Sequence, residues 1–449
     1  MASTYLERNM TGNTASTKMT YSGWIKVCNT SNDGRIFGAQ ALACHTYFYN
    51  SQLHIDFSAK DSGTVSAKLQ TNRVFRDTSA WYHFVFTLDT TQATADDRIK
   101  FWVNGVQETS FATRTNPSLN ATYAYGQSGY YSVGARTANQ GGAGHYFDGA
   151  MSHIHYCDGY AYQASDFGQY DANGIWTIKT SPSVTYGTNG FFILKDGNSV
   201  TDQSGNGNNF TVAGGTLTNT EDNPSNVFAT MNPLMPFPSG LSFANGNTTL
   251  TTSASQWTGS ASTFAPSSGK WYWEAKYNTG SGIKLDIGRI DANFTNMNTL
   301  NNSYLSYNST GYGYQLNNTG TDYYCNNNAC TTWNSSRGNS TKIYMVAVDL
   351  DNGKMWIGAD GTWFNKSGTA NPVTGDDPLH DFSSDLNGDG WFFGMSVEGS
   401  GGSHNANFGN GYFGTTAVAS AGTNASGNGI FEYDVPTGYT ALSTKGLNL

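Results

Sequence analysis

Period-two alternation, interrupted by tight-turn dipeptides, constrains this chain more than any other feature. In residues 81–89 (WYHFVFTLD), Tyr82, Phe84, Phe86 and Leu88 alternate with His83, Val85, Thr87 and Asp89. In 99–104, Ile99, Phe101 and Val103 alternate with Lys100, Trp102 and Asn104. Such a period sends successive side chains to opposite faces of a strand. Asn104-Gly105 then supplies the positive φ angles of a type I′ hairpin. The same writing recurs in the other half of the chain. Val346, Val348 and Leu350 alternate and Asn352-Gly353 turns. Met355 and Ile357 then face in, Lys354 and Trp356 face out, and Asp360-Gly361 turns again. Each copy reads as an antiparallel meander with one packed face and one face in water. Each half is therefore expected to be its own β-sandwich.

Composition narrows the class. A chain of 449 residues is too long for one ordinary core, and two or three domains are expected. Charged residues are only 12%, while aromatics reach 14% and there are 53 glycines. No apolar run approaches the ~20 residues of a membrane helix, so no membrane insertion is expected. Disordered chains are poor in aromatics, and this one is rich in them. A net charge of −9 with 23 Lys+Arg argues against nucleic acid as a partner, because phosphate neutralisation needs basic clusters. The opening MASTYLERNM has neither a basic n-region nor an apolar h-region, so synthesis in the cytoplasm without a signal peptide is expected. The five cysteines are odd in number and scattered. Cys325 and Cys330 are close enough to bridge locally, but reduced thiols are the expectation in a cytosol.

Turn-rich segments between short strands throughout both halves give an all-β class, two antiparallel β-sandwich or jelly-roll domains in tandem. The best helix candidate is 162–170, with Ser165 as its cap. Pro224, Pro233, Pro236 and Pro238 crowd one stretch, NPSNVFATMNPLMPFP. That density reads as an extended connector over 223–238, whose apolar residues suggest that it packs rather than swings free. The expected domains are thus 1–222 and 239–449.

Particular stretches carry a resemblance. AWYHFVFTLD, DRIKFWVNGVQE and YFDGAMSHIHYCDGYA (146–161) follow one another as in concanavalin A-like, laminin G-type jelly rolls. DQSGNGNNF (202–210) is similar to a turn late in such modules. The second half resembles a SPRY (B30.2-like) domain through GKWYWEAKY (269–277), DIGRI (286–290), GYGYQ (311–315), MVAVDLDNGKMWIGADGTWF (345–364) and ANFG (406–409). The ending, FEYDVPTGYTALSTKGLNL, resembles the close of SPRY-type modules in virion proteins of tailed phages of aquatic bacteria, of the cyanophage kind. The resemblance implies a virion structural protein displayed on the particle surface. Its first implied role is receptor binding, as a tail fibre or spike tip that recognises host cell-surface carbohydrate. The alternatives are a decoration protein of capsid or tail that binds other virion proteins, and a glycan-degrading enzyme. A homo-oligomer is expected. With no anchor or triple-helical shaft ahead of the jelly roll, attachment through a sandwich face is also expected.

The enzyme alternative fails on the carboxylates. Retaining glycoside hydrolysis needs two carboxyl groups about 5–5.5 Å apart, which a strand provides at i, i+2. Of Glu7, Glu108, Glu221, Glu274, Glu398 and Glu432, only Glu432 has a carboxylate two residues away, Asp434. That pair lies in the second domain and runs into Pro436, and reads as a strand end; Glu274 reads as structural. No catalytic residue is expected. No cofactor is expected either, with calcium the alternative left open. Asp385, Asn387 and Asp389 in DLNGDG begin like a calcium loop, but the twelfth position is Ser396, and an Asx-stabilised turn is the default. His153, His155 and Cys157 share a strand face as zinc ligands could, yet a packed polar face explains them as well. Binding residues are sought where Tyr, Asn, Ser and Gly concentrate, because tyrosine gives rigid contact area and amides give adaptable hydrogen bonds. Two loop regions qualify, 114–147 and 296–336. Their candidate binding residues are Tyr123, Tyr125, Tyr304, Tyr307, Tyr323, Tyr324 and Trp333.

Overall fold

The computed structural model describes residues 3–448 except 31–32, 40–43, 61, 141, 196, 198, 236–239, 291–303, 308–309, 319–320, 327–328 and 334–340. The chain forms two compact units, Met1–Asn219 with Asn223–Ser225, and Thr220–Asp222 with Asn226–Leu449.

Among the described residues, the first unit has an eight-stranded and a six-stranded antiparallel sheet. The larger runs Phe111–Thr115, Ala67–Val74, Gln52–Phe57, His45–Tyr49, Gly34–Gly38, Gly129–Val133, Tyr5–Met10, Thr211–Gly214. The smaller runs Phe191–Ile193, Gly149–Asp158, Lys18–Val27, Trp81–Asp89, Ile99–Val103, Val106–Glu108. Alternate residues of both sheets fill the core. Phe84, Phe86 and Leu88 project into it from one strand, with Ile99, Phe101 and Val103 from the next. The turn joining those strands has φ of 48° at Asn104 and 80° at Gly105, as a type I′ hairpin requires.

The other face of this sheet is not in water as expected. Val85, Trp102 and Cys157 are buried against Ala164 and Phe167, with Trp176 packed over them. The chain after Gly149–Asp158 folds back across the sheet as one helical turn, Ala164–Phe167, and a small hairpin, Gly168–Tyr170 with Trp176–Ile178. Trp176 Nε1 donates to His83 Nδ1 at 3.0 Å. His83 Nε2 must then carry the proton, and donates to Ser22 Oγ at 2.8 Å. Burial holds the His83 pKa down at about 3, so the ring is a neutral structural link. The helix is shorter than 162–170, and Ser165 lies inside it rather than at its cap. Asp166 Oδ2 accepts the Gln163 N–H at 2.7 Å and fixes the first turn.

In the second unit, one sheet runs Leu241–Ala244, Thr249–Thr252, Ser403–Asn407, Lys270–Thr279, Ile343–Asp349, Lys354–Ala359, Thr362–Trp363. The facing sheet runs Thr258–Ala261, Trp391–Glu398, Gly282–Arg289, Gly311–Asn317, Asp322–Asn326, Ala329–Trp333. Trp273, Val346, Ile357, Leu285, Phe393 and Tyr314 meet between them. Asp360-Gly361 (φ 49° and 82°) makes a tight turn like Asn104-Gly105. At Asn352-Gly353 only the glycine has positive φ (64°), and the Asp349 carboxylate closes the loop by accepting N–H groups of Asp351 and Asn352 at 3.1 and 3.0 Å.

Here too the outer face is covered. Trp356 is wholly buried with Tyr272, Phe431 and Tyr439, because the C-terminal segment lies across the sheet. A buried carboxylate anchors that segment. Glu274 accepts the N–H of Glu432 (2.9 Å) and of Tyr433 (2.8 Å), the Tyr272 hydroxyl (3.0 Å) and the Asn407 amide (3.3 Å). The described part of the proline-rich stretch is structural as well. Phe228, Ala229 and Met231 are buried in this unit, and the Ala229 N–H donates to the Leu442 carbonyl at 2.8 Å.

Candidate functional site

Register places the outward residues of the six-stranded sheet of the second unit in rows. Directly opposed residues of an antiparallel sheet share a face. One row is Glu398, Gly282 and Asn317. The next is Ser396, Lys284, Gln315, Tyr323 and Thr332. A third is Gly394, Asp286, Gly313, Cys325 and Cys330. Their strands alternate these residues with Ile283, Leu285, Tyr314, Leu316, Met395 and Val397, which point into the sandwich.

Part of this face is roofed. The short turn Leu305–Tyr307 lies over the glycines of the third row. A Cβ at Gly313 would stand 1.7 Å from Asp286 Oδ1, and one at Gly311 would stand 2.0 Å from the Leu305 carbonyl. The sequence GYGYQ thus sends its tyrosines inward and uses its glycines to admit the turn. Asp286, fully buried, accepts the Ser306 hydroxyl at 2.9 Å. Lys284 is buried beneath two rings, its Nζ 3.0 Å from the Tyr304 centroid and 4.9 Å from that of Trp257. Burial lowers the lysine pKa and raises that of the aspartate, and each charge partly offsets the other's shift.

Beside this roof the face stays open. A groove of about 350 Å3 is lined by Ser281, Gln315, Asn317, Tyr323, Cys330 and Glu398. Gly282, in the row of Glu398 and Asn317, makes room for the Trp257 ring: a Cβ there would meet Trp257 Cη2 at 2.9 Å. Gln315 Nε2 donates to Asn317 Oδ1 at 3.1 Å, and Asn317 Nδ2 donates to the Thr321 carbonyl at 2.5 Å, so the amides are held in place. No described residue donates a hydrogen bond to the Glu398 carboxylate. Burial raises its pKa, and Lys284 partly offsets the shift. The groove therefore combines one aromatic ring, oriented amides, a hydroxyl and an acceptor-only carboxylate.

Of the sequence candidates, the structure brings only Tyr323 to this groove. Tyr123 and Tyr125 are core residues of the first unit, 4% and 2% exposed, with Tyr125 stacked on Phe37 at 5.3 Å. A loop rich in tyrosine has here supplied packing. Tyr304 is the buried roof over Lys284, and the side chain of Tyr307 lies outside the described residues. Tyr324 and Trp333 point into the sandwich, Trp333 edge-on to Tyr314 at 5.1 Å. Cys325 and Cys330 form a disulfide across the two strands, contrary to the expectation of free thiols. They are opposed residues on one face, which spacing alone does not reveal. Ser281, Gln315, Asn317 and Glu398 were missed, although the alternation of GYGYQLN already sets Gln315 and Asn317 on the face opposite its tyrosines.

The metal candidates are engaged otherwise. Tyr312 donates to Asp385 Oδ2, Asn387 Nδ2 donates to Asp389 Oδ2 at 2.7 Å, and Arg289 stands 3.9 Å from the same carboxylate. A guanidinium beside Asp389 does not suit a calcium site. His153 sits at a β-bulge with φ 50°, and His155 stacks on Phe192 at 3.9 Å. Among the described residues, no group of three His, Cys, Asp or Glu side chains is placed to hold a metal. Glu432 and Asp434 accept turn N–H groups of Ala419 (2.8 Å) and Thr423 (2.7 Å).

Residues 2–160 match the Concanavalin A-like lectin/glucanases superfamily, laminin G type. No curated protein matches the chain. Among solved structures, it is similar to domains LG4-5 of the mouse laminin alpha1 chain (11% identity, 90% of this chain and 85% of that one, TM-score 0.29). It is also similar to the PSpry domain of TRIM65 (10% identity, 40% and 91%, TM-score 0.30) and to the SPRY domain of human HERC1 (12% identity, 37% and 91%, TM-score 0.27). The class defined by the sheets is an all-β protein of two antiparallel sandwiches, the first similar over residues 2–160 to that superfamily.

Proposed function

We propose that this chain is a non-enzymatic adhesin on the surface of a virus particle, of the tailed-phage kind, and that its second sandwich binds glycans of the host surface. The observation that carries the reading is the groove at Tyr323. A sugar ring offers an apolar face to an aromatic side chain and hydroxyls to amides and carboxylates, and these groups line one cavity. The match of residues 2–160 to a superfamily described by its lectins and glucanases supports carbohydrate as a ligand class for the molecule. The virion location rests on the resemblance of the C-terminal segment and on the low-charge, aromatic-rich composition. The non-enzymatic reading is supported by Glu274, Glu432 and Asp434, whose carboxylates are all engaged in holding backbone.

A single stacked ring contributes about 1 kcal/mol. One site is therefore weak, and attachment depends on many copies acting together. The multimerised protein should bind host envelope preparations, and Tyr323→Ala should cut that binding at least about fivefold, as a loss of about 1 kcal/mol implies. Its melting temperature should stay within about 1 °C of the parent, since a surface substitution changes stability little. Tyr324→Ala serves as the contrasting variant: it should lower stability, because that ring packs on the core. Undiminished binding by Tyr323→Ala sinks the assignment of the groove.

A further inference from the structure

The groove is polar but not balanced in charge, and this deepens the reading just given, on which it rests. Glu398 is its one ionisable carboxylate, and neither Lys nor Arg is among its lining residues. The nearest cation on this face, Lys284, is one residue row away and 1% exposed, its ammonium against the Tyr304 ring at 3.0 Å. The lysine is thus held in the roof against that ring and makes no hydrogen bond to the Glu398 carboxylate, although its charge partly offsets the effect of burial there. Glu398 has the opposite situation. Its strand ends at the groove, the Glu398 carbonyl is fixed by the Ser281 N–H at 2.9 Å, and no described residue donates to its side chain.

An ionised carboxylate only accepts hydrogen bonds. Placed in a groove wall with its acceptor sites unfilled, it favours ligands that bring donors: vicinal hydroxyls, or better, an ammonium group. It disfavours ligands that bring a second carboxylate, because like charges held together in a partly desolvated site repel each other. Gln315 and Asn317 do not reverse this preference. Each amide NH2 already donates one of its hydrogens to the protein, Gln315 to Asn317 Oδ1 and Asn317 to the Thr321 carbonyl.

We propose that the groove selects saccharides bearing hydroxyl and free amino groups and rejects those bearing carboxylates, with Glu398 as the specificity-determining residue and Tyr323 as the stacking platform. Uronic acid and sialic acid polymers are then not its ligands, whereas glucosamine-type and neutral hexose oligomers are.

The test is calorimetric or array binding by the full chain of three probes of equal length: glucosamine oligomers, neutral glucose oligomers and galacturonate oligomers. The expected result is that the glucosamine and glucose oligomers bind at least about tenfold more tightly than the galacturonate, a difference of about 1.4 kcal/mol. Glu398→Gln should bring the three within about threefold of one another, since it removes the charge and keeps the shape. Tyr323→Ala should weaken glucosamine and glucose oligomers together. Galacturonate bound as tightly as the other two, and lost in Tyr323→Ala, overturns the charge selection while leaving a glycan groove in place. Unchanged selectivity in a folded Glu398→Gln overturns the role of that residue. Failure of all three probes to bind, by the parent and by Tyr323→Ala alike, overturns both this inference and the reading on which it rests.

Discussion

Glu274 has no solvent around its carboxylate and four donors directed at it, two of them backbone N–H groups of the C-terminal segment. Burial penalises its charged form more than those donors relieve it, and the pKa is pushed up from 4.5 to about 7. The sign of the consequence follows from proton counting. Between those two values the native state keeps a proton that the unfolded chain has released, so stability is highest at the acid end and falls as pH rises. The second unit should thus lose up to about 3 kcal/mol of stability from this group between pH 4.5 and 7, read from urea midpoints across that range. Glu274→Gln should flatten the dependence. A midpoint in the parent that rises over this window would show that the donors, not burial, dominate at Glu274. Nothing in WYWEAKY distinguishes this glutamate from a catalytic one; apart from Tyr272 two residues away, its partners come from 133 to 159 residues away in sequence.

The strands Gly282–Arg289 and Gly311–Asn317 show how an element acquires two kinds of face. Their inward residues are set by alternation and were legible. Their outward residues are glycines that admit neighbouring segments, a buried pair (Lys284 and Asp286) under the roof, or polar groups in the groove (Gln315 and Asn317). Gly313→Ala should lift the turn off Asp286, because the new methyl would overlap the carboxylate that the turn caps. A loss of about 1–3 kcal/mol, the usual range for overpacking, is expected in thermal unfolding. An unshifted melting temperature would mean that the turn does not hold to this face. The hairpin Asp322–Asn326 with Ala329–Trp333 gains a further constraint from the disulfide between opposed Cys325 and Cys330. Composition favoured reduced thiols, but strand pairing brings these two side chains together whatever their number elsewhere.

Each unit has its own core, and the proline-rich stretch from Asn226 onward belongs, where described, to the second, while Asn223–Ser225 falls to the first. Phe228, Ala229 and Met231 are buried there. A fragment of residues 226–449 should therefore melt cooperatively, whereas one of residues 239–449 should be less stable by about 3 kcal/mol or more, since large buried side chains typically cost that much when removed. Equal midpoints for the two fragments would show that 226–238 contributes nothing to the core. The all-β class, the tight turns at Asn104-Gly105 and Asp360-Gly361, and the inward set of each meander are legible in the sequence, because period two and left-handed dipeptides are local properties. The sequence did not determine what covers the opposite faces. His83 and Trp102 acquire Trp176, and Trp356 acquires Tyr439, only when segments 60 or more residues distant fold back over the sheets. Tyr123 and Tyr125 went from a loop into the core of the first unit, while Tyr323, on the strand Asp322–Asn326, was left facing the groove. Which tyrosines pack and which remain available is a question of which outer face the rest of the chain has length and shape to cover, and only the tertiary structure answers it.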